Sequence, residues 1–137
     1  MSFARACHRW LLTLFLVAVA VQFFLAGLGA FKAQNGTEQG TIGDSQFADY
    51  FSPHAAFANV LELIALLIFI AALVGRMGKR WILVSLSLPI LVELQYVFAS
   101  NGPSWFRALH VVNALVIASI AAKFTNLAWS EAKASRA

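Results

Sequence analysis

Four long apolar stretches constrain the fold of this chain more than any other feature. They cover about residues 10–31, 52–74, 81–99 and 104–129. At 1.5 Å per residue, about 22 residues of helix extend roughly 33 Å, enough to cross a bilayer core. Hydrophobic residues make up 61% of the chain and charged residues 12%, whereas soluble domains are about half apolar and a quarter charged. The sequence therefore predicts an all-α integral membrane protein with a single transmembrane domain over residues 1–137.

The connections between the stretches predict an up-down four-helix bundle. Residues 75–80 and 100–103 form short turns, and short connections make successive helices antiparallel. Residues 32–50 are polar and contain three glycines, which predicts a long loop. Ser52 followed by Pro53 predicts the N-cap and first residue of the second helix.

The first apolar stretch follows a short basic head, Met1 to Arg9, and so also fits a secretory signal peptide. The apolar region of a signal peptide is usually about 7–15 residues long. The greater length of this stretch favours a retained membrane helix.

The distribution of basic residues predicts the orientation. The N-terminal head, the turn at 75–80 and the segment Lys123–Arg136 are basic, whereas residues 32–50 carry one basic and three acidic residues. Cytoplasmic loops are rich in Lys and Arg. We therefore expect both termini in the cytoplasm and the chain in a bacterial inner membrane. Basic residues scattered at the ends of apolar stretches do not indicate nucleic-acid binding.

Cys7 is the only cysteine of the chain, so no intrachain disulfide forms and a cysteine-based zinc or iron–sulfur site is disfavoured. The sequence contains no phosphate-binding loop, nucleophile elbow or HExxH motif. It therefore points away from a stand-alone enzyme and leaves an electron-transfer or accessory role.

Polar residues within the apolar stretches are the candidates for function, because an ionisable group in the bilayer is costly to keep there. They are Gln22, His54, Asn59, Glu62, Glu93, Gln95, His110 and Asn113.

Two of these residues, His54 and His110, predict a haem b site. They lie near the same end of the second and fourth helices, which face each other across an up-down bundle. Neutral imidazole is an axial ligand of haem iron. Arg107 lies one turn before His110, where it would pair with a haem propionate. Asn59 and Asn113 are expected either to hydrogen-bond between helices or to act as polar partners of the ligands.

Other interpretations of the two histidines remain open. His54 is predicted in the first turn of the second helix and His110 about one turn deeper in the fourth, so their depths should differ by roughly 5–6 Å, which disfavours a shared haem. Each histidine could instead hydrogen-bond a neighbouring loop. A copper or other metal site is a third interpretation, although zinc and copper normally need a further protein ligand.

Glu62 and Glu93 are predicted to face each other on adjacent antiparallel helices. Together with Gln22 and Gln95 they could form a proton relay or a quinol site. The alternative is that these four side chains only hydrogen-bond the helices to one another.

The chain also contains a weak internal repeat. Val21-Gln22-Phe-Phe-Leu-Ala in the first helix matches Leu94-Gln95-Tyr-Val-Phe-Ala in the third, and a helix with an early His and Asn follows each. This pattern predicts a tandem two-helix repeat related by an axis along the membrane normal.

Several segments resemble one bacterial family of small four-helix membrane proteins, the family of unknown function DUF6220. They are Val21–Phe31, His54, Leu94-Gln95 and Ala108–Leu115. The resemblance implies the fold and no established reaction. The family motif Leu-His-Pro-Val-Asn has Val111 at its proline position here, which implies a straighter fourth helix.

A more distant similarity, carried by His54 and His110 alone, is to b-type cytochromes and haem A synthase. These proteins hold haem between histidines on opposed helices, which implies the same role for the two residues here.

Two hypotheses of function follow. The first is a small b-type cytochrome that transfers electrons to or from a quinol or a redox partner protein, within membrane lipid. A partner is implied because a haem near one face cannot carry an electron across the whole bilayer. The second is a cofactor-free structural or accessory subunit of a membrane complex. The few polar residues disfavour a channel or transporter, unless the chain forms a homo-oligomer.

Overall fold

The computed structural model describes residues 3–100 and 102–135, which form four α-helices and no strand. The helices are α1 (Phe3–Gln39), α2 (Asp44–Val74), α3 (Lys79–Ala99) and α4 (Ser104–Ala134). Each is long and apolar enough to cross a membrane. The predicted class, an all-α four-helix membrane bundle, is confirmed.

The helices pack as a closed ring in which each contacts its two neighbours. α1 packs against α2 and α4, and α3 packs against the same two helices. The diagonal pairs do not pack backbone to backbone over the described residues. We call the end with the α1 N-terminus, the α2–α3 turn and the α4 C-terminus the basic end. The other end, with the α1–α2 and α3–α4 connections, is the hairpin end.

The core lies mainly in the half of the bundle nearer the basic end. Leu12, Phe15, Ile68 and Leu88 are at most 1% exposed there. Large apolar side chains cover the outer surface, and Phe24 is 68% exposed. Exposed apolar surface of this kind suits contact with lipid tails.

The connection between α1 and α2 is much shorter than predicted. Residues 32–50 were predicted as a loop, but only residues 40–43 are non-helical. A Cβ on Gly36 would lie 2.7 Å from the Ile42 side chain. Gly36 therefore allows the end of α1 to approach the connection closely. A glycine in a polar segment looks the same in the sequence whether it allows such a contact or forms a loop.

The prediction that α2 begins at Ser52 is also wrong. Pro53 lies inside α2, whose N-cap is Gly43. Proline has no N–H to donate to the carbonyl four residues earlier, which here belongs to Asp49. The Ser52 hydroxyl donates a hydrogen bond to that carbonyl at 3.0 Å. The Asp49 carbonyl therefore has a partner, and the helix continues past Pro53.

The first and fourth helices extend beyond their predicted limits. α1 begins at Phe3 rather than Trp10, and α4 ends at Ala134 rather than Trp129. The basic head predicted before the first membrane helix is part of the bundle, because His8 and Arg9 are buried. Predictions that fall on Met1, Asn101 and Arg136 lie outside the described residues.

Gly29 offers a test of the α1–α2 contact. A Cβ there would lie 2.8 Å from Phe51 Cδ1 and 3.0 Å from the Tyr50 carbonyl oxygen, whereas nothing lies within 4 Å of a Cβ on Gly27. We expect Gly29→Ala to lower the free energy of unfolding in detergent by about 1–3 kcal/mol through overpacking. Gly27→Ala should raise it by up to about 1 kcal/mol through helix propensity. Equal stability of the two variants would contradict this helix contact.

Candidate functional site

A cavity of about 280 Å³ lies among all four helices in the half nearer the hairpin end. Its lining is mostly apolar. The polar side chains that line it are Gln22, His54, Gln95, Tyr96 and His110. The structure thus brings together both predicted histidines and both predicted glutamines. We call this cavity the histidine pocket.

The lining of the histidine pocket follows the internal repeat. Every lining residue of α1 has a counterpart at a constant offset in α3, and every lining residue of α2 has one in α4. The pairs are Val19 and Val92, Gln22 and Gln95, Phe23 and Tyr96, Ala26 and Ala99, His54 and His110, Ala55 and Val111, Ala58 and Ala114, and Leu61 and Ile117. The two helix pairs therefore contribute equivalent halves of one pocket.

Both histidines are held by the same contact to the helix before them. His54 Nδ1 lies 3.2 Å from the Gln22 carbonyl oxygen, and His110 Nδ1 lies 3.1 Å from the Gln95 carbonyl oxygen. A carbonyl only accepts, so Nδ1 carries the proton in each neutral ring and Nε2 carries the lone pair. This is the tautomer in which a histidine ligates a metal through Nε2.

The imidazole rings of His54 and His110 lie close together inside the pocket, in an edge-type arrangement. Their centroids are 6.1 Å apart and their planes are inclined by 63°. Imidazoles on opposite sides of one metal ion, with metal–nitrogen bonds of about 2.0–2.1 Å, place their centroids roughly 6 Å apart. The predicted difference in depth is wrong, because α2 starts at Asp44 and so His54 lies well inside it.

Asn113 makes the two halves of the pocket unequal. Its Nδ2 donates to Gln95 Oε1 at 3.0 Å and to the Leu91 carbonyl at 2.8 Å. On the other side, Gln22 Nε2 lies 3.0 Å from the His54 carbonyl oxygen and 3.4 Å from His54 Nε2. A metal bound at His54 would therefore have to displace the Gln22 amide.

Three of the predicted cofactor-binding residues lie outside the pocket lining: Asn59, Asn113 and Arg107. Asn113 is buried behind Gln95, to which it donates a hydrogen bond. Asn59 is exposed, with its Oδ1 3.5 Å from the Tyr96 hydroxyl. It follows His54 by five positions, which turns it about 140° around the helix. Arg107 is exposed near the start of α4, one turn before His110.

Glu62 and Glu93 do not share the site of the two glutamines. Each lies one turn of helix from a member of the Tyr96–Asn59 contact, Glu93 before Tyr96 on α3 and Glu62 after Asn59 on α2. Glu93 is exposed, and Glu62 Oε2 is buried without a hydrogen-bond partner among the described residues. The predicted group of four therefore divides into the glutamines of the histidine pocket and an outer pair of carboxylates between α2 and α3.

Sequence reasoning missed Tyr96 and the small lining residues Ala26 and Ala99. All three residues belong to the two matched segments of the internal repeat, 21–26 and 94–99, which is the signal that could have identified them. Of the alanines near the two histidines in the sequence, Ala55, Ala58 and Ala114 line the pocket, whereas Ala56 and Ala108 do not belong to its lining.

The pocket offers two metal ligands rather than a cluster. Within residues 3–100 and 102–135, no three His, Cys, Asp or Glu side chains meet where they could hold a metal ion. Two imidazoles held in the ligating tautomer are the chemically distinctive groups of the site.

Four membrane-length helices around a two-histidine pocket define a small multi-pass membrane protein. The chain belongs to the family of unknown function DUF6220, whose model matches residues 22–103. The match includes Gln22, His54 and Gln95 and ends before α4, so it does not extend to His110. Neither a search of curated proteins nor a search of solved structures returned a significant match.

Proposed function

We propose that this protein is a b-type cytochrome of a bacterial inner membrane that binds haem between His54 and His110. The observation that carries the proposal is the pair of rings with Nδ1 bonded to main-chain carbonyls and centroids 6.1 Å apart. Such rings can both present Nε2 to one iron atom.

The number of ligands supports haem over a bare metal ion. A porphyrin supplies four nitrogens and leaves two axial positions for histidine. Zinc and copper sites usually take three or more protein ligands. Two neighbouring imidazoles in a mostly apolar cavity match the needs of haem.

The surroundings of the histidines also fit a flat macrocycle. A macrocycle held between histidines of α2 and α4 would have its edges directed towards α1 and α3. The small side chains of Ala26 on α1 and Ala99 on α3 line the cavity there. At about 280 Å³ the cavity is just below the roughly 300–1,000 Å³ typical of ligand sites, so haem would have to extend beyond it. It is not fully enclosed, since the lining residues Ala55 and Ala99 are exposed, and propionates could extend to Arg107 at the hairpin end.

The residues around the histidines would orient and tune the ligands. The Gln22 and Gln95 carbonyls keep the proton on Nδ1 and increase the basicity of Nε2. Asn113 fixes Gln95 through a 3.0 Å hydrogen bond. Bound haem supplies a one-electron couple. If His54 and His110 both ligated the iron, no position would remain for a substrate, which would favour electron transfer.

Charge supports an orientation in which the basic end faces the cytoplasm. Seven basic residues of the described chain belong to that end: Arg5, Arg9, Arg76, Lys79, Arg80, Lys123 and Lys133. The histidine pocket then lies nearer the extracytoplasmic face. From His54 to the end of α2 is roughly 30 Å of helix, so electron transfer needs a partner at the same face.

The outer carboxylates suit a quinol as that partner. A quinol reaches the bundle through lipid. Tyr96 lines the histidine pocket and follows Glu93 by one turn of α3, and its hydroxyl lies 3.5 Å from Asn59 Oδ1, one turn before Glu62 on α2. Glu62 and Glu93 would accept the two protons of the quinol. A haem held by His54 and His110 would supply the one-electron couple, and a redox partner protein would have to take up each electron in turn.

Glu62→Gln separates haem binding from proton transfer. We expect this variant to keep the haem spectrum unchanged, because Glu62 does not line the histidine pocket. Its reduction by a short-chain quinol should slow by roughly 10²-fold if the carboxylate accepts a proton. Stopped-flow spectroscopy measures the rate. Loss of haem would place the carboxylate in the haem site, and an unchanged rate would contradict its role in proton transfer.

One contact favours the second candidate, a cofactor-free accessory subunit. The Gln22 amide lies 3.4 Å from His54 Nε2, which satisfies that nitrogen without a metal, and the pocket hydrogen bonds also hold the helices together. Titration of the purified protein with haemin separates the candidates. Saturation of the Soret band at one haem per chain supports the cytochrome, and no saturable band supports the accessory subunit.

A further inference from the structure

A second cavity, of about 260 Å³, lies at the basic end of the bundle. The ionisable side chains that line it are Arg5, His8, Arg9 and Glu131, and Trp81 forms part of its wall. From His8 to Gln22 is roughly 21 Å of helix, so this cavity is separate from the histidine pocket. We call it the arginine pocket.

His8 is the most unusual group of the arginine pocket. It is 1% exposed, and its Nε2 lies 2.8 Å from Ser85 Oγ. Its Nδ1 is buried and has no hydrogen-bond partner among the described residues. Buried polar atoms in native proteins nearly always have a partner. When the Ser85 hydroxyl donates to Nε2, the His8 proton is on Nδ1, which then requires an acceptor.

The charges around the cavity favour an anionic acceptor. Arg5 is exposed, and the buried Arg9 guanidinium lies 4.6 Å from the centre of the Trp129 ring. Glu131 is the single carboxylate among the lining residues. Two guanidinium groups against one carboxylate leave a net positive cavity, and guanidinium binds phosphate oxygens through paired hydrogen bonds.

The position of the cavity identifies the source of the anion. Trp10 and Trp129 pack edge to face at 5.0 Å beside it, and tryptophans at helix ends lie at the level of lipid headgroups. Basic pockets between membrane helices bind phospholipid headgroups. We propose that the arginine pocket binds the phosphate group of an anionic phospholipid. This site is independent of the proposed haem.

A lipid titration of the full-length protein in detergent tests the proposal. Short-chain phosphatidylglycerol is compared with phosphatidylcholine of the same chain length and with inorganic phosphate. Tryptophan fluorescence is the readout, because Trp81 and Trp129 lie beside the site. We expect phosphatidylglycerol to bind at least about tenfold more tightly than phosphatidylcholine, and inorganic phosphate not to compete with it at equal concentration.

Matched variants locate the binding site. Arg5→Gln removes an exposed lining charge and should weaken phosphatidylglycerol binding about tenfold. Lys79→Gln removes an exposed charge at the same end, outside the lining, and should change the affinity less than about twofold. In ¹⁵N-histidine spectra of the wild type, the His8 Nδ1 signal should shift when the lipid binds.

Three results would overturn the proposal. Equal affinity for phosphatidylglycerol and phosphatidylcholine would show that the charge of the headgroup does not determine binding. Equal losses of phosphatidylglycerol affinity in Arg5→Gln and Lys79→Gln would show that the lipid is attracted by the positive charge of this end in general and not bound in the arginine pocket. Inorganic phosphate that binds as tightly as the lipid would assign the pocket to a soluble phosphate compound.

Discussion

Replacing His110 by alanine is expected to abolish haem binding. The ring of His110 is one of two neighbouring imidazoles, and its Nε2 is the nitrogen left to ligate iron once Nδ1 bonds the Gln95 carbonyl. The remaining histidine outside the pair, His8, lies roughly 21 Å of helix away from the pocket. No other imidazole can therefore take its place. The Soret absorbance per purified chain measures the loss, which should be nearly complete, and His54→Ala should cause almost the same loss.

Chemical rescue distinguishes a missing ligand from a misfolded bundle. Added imidazole should restore part of the Soret band in His110→Ala, because the truncated side chain leaves room for a free ring. Melting of the helices by circular dichroism should remain cooperative in both histidine variants. If both variants retain an unchanged haem spectrum, the ligand assignment is wrong.

The largest effect on stability is expected for Phe15→Ala. Phe15 is fully buried in the core, next to Leu12 and Ile68 in the same cluster. Lipid tails are as apolar as a phenyl ring, so its contribution is mainly packing within the bundle. We expect the free energy of unfolding in mixed micelles to fall by about 3–5 kcal/mol.

Phe24→Ala is the matched control for Phe15→Ala. It removes the same ring from the same helix, but Phe24 is 68% exposed on the outer surface. We expect a change of less than about 1 kcal/mol. Similar losses in the two variants would show that α1 presents a different face to the bundle.

The number of helices and their antiparallel order could be predicted from the sequence, because apolar length decides which segments cross a bilayer. The ends of α1 and α2 could not. Gly36 belongs to a helix contact, and the Ser52 hydroxyl bonds the carbonyl that Pro53 leaves without an N–H. Both features depend on neighbouring atoms that local composition does not reveal.

The candidate site was predictable to the extent that it follows the repeat. His54, His110, Gln22 and Gln95 occupy equivalent positions, and the structure brings them together. Asn59 lies on a different face of α2 from His54, because five residues of helix turn it about 140° around the axis. Its closeness to His54 in the sequence therefore does not bring it into the pocket. His8 belongs to a segment that reads as a solvated basic head, so its burial could be recognised only from its contact with Ser85 on α3.

A reduced-minus-oxidised visible spectrum of the protein, purified after expression with haem supplied, tests the central claim most directly. The two neighbouring histidines predict sharp α and Soret bands of a six-coordinate b-type haem, at one haem per chain. A flat difference spectrum under these conditions would contradict the cytochrome and favour the accessory subunit.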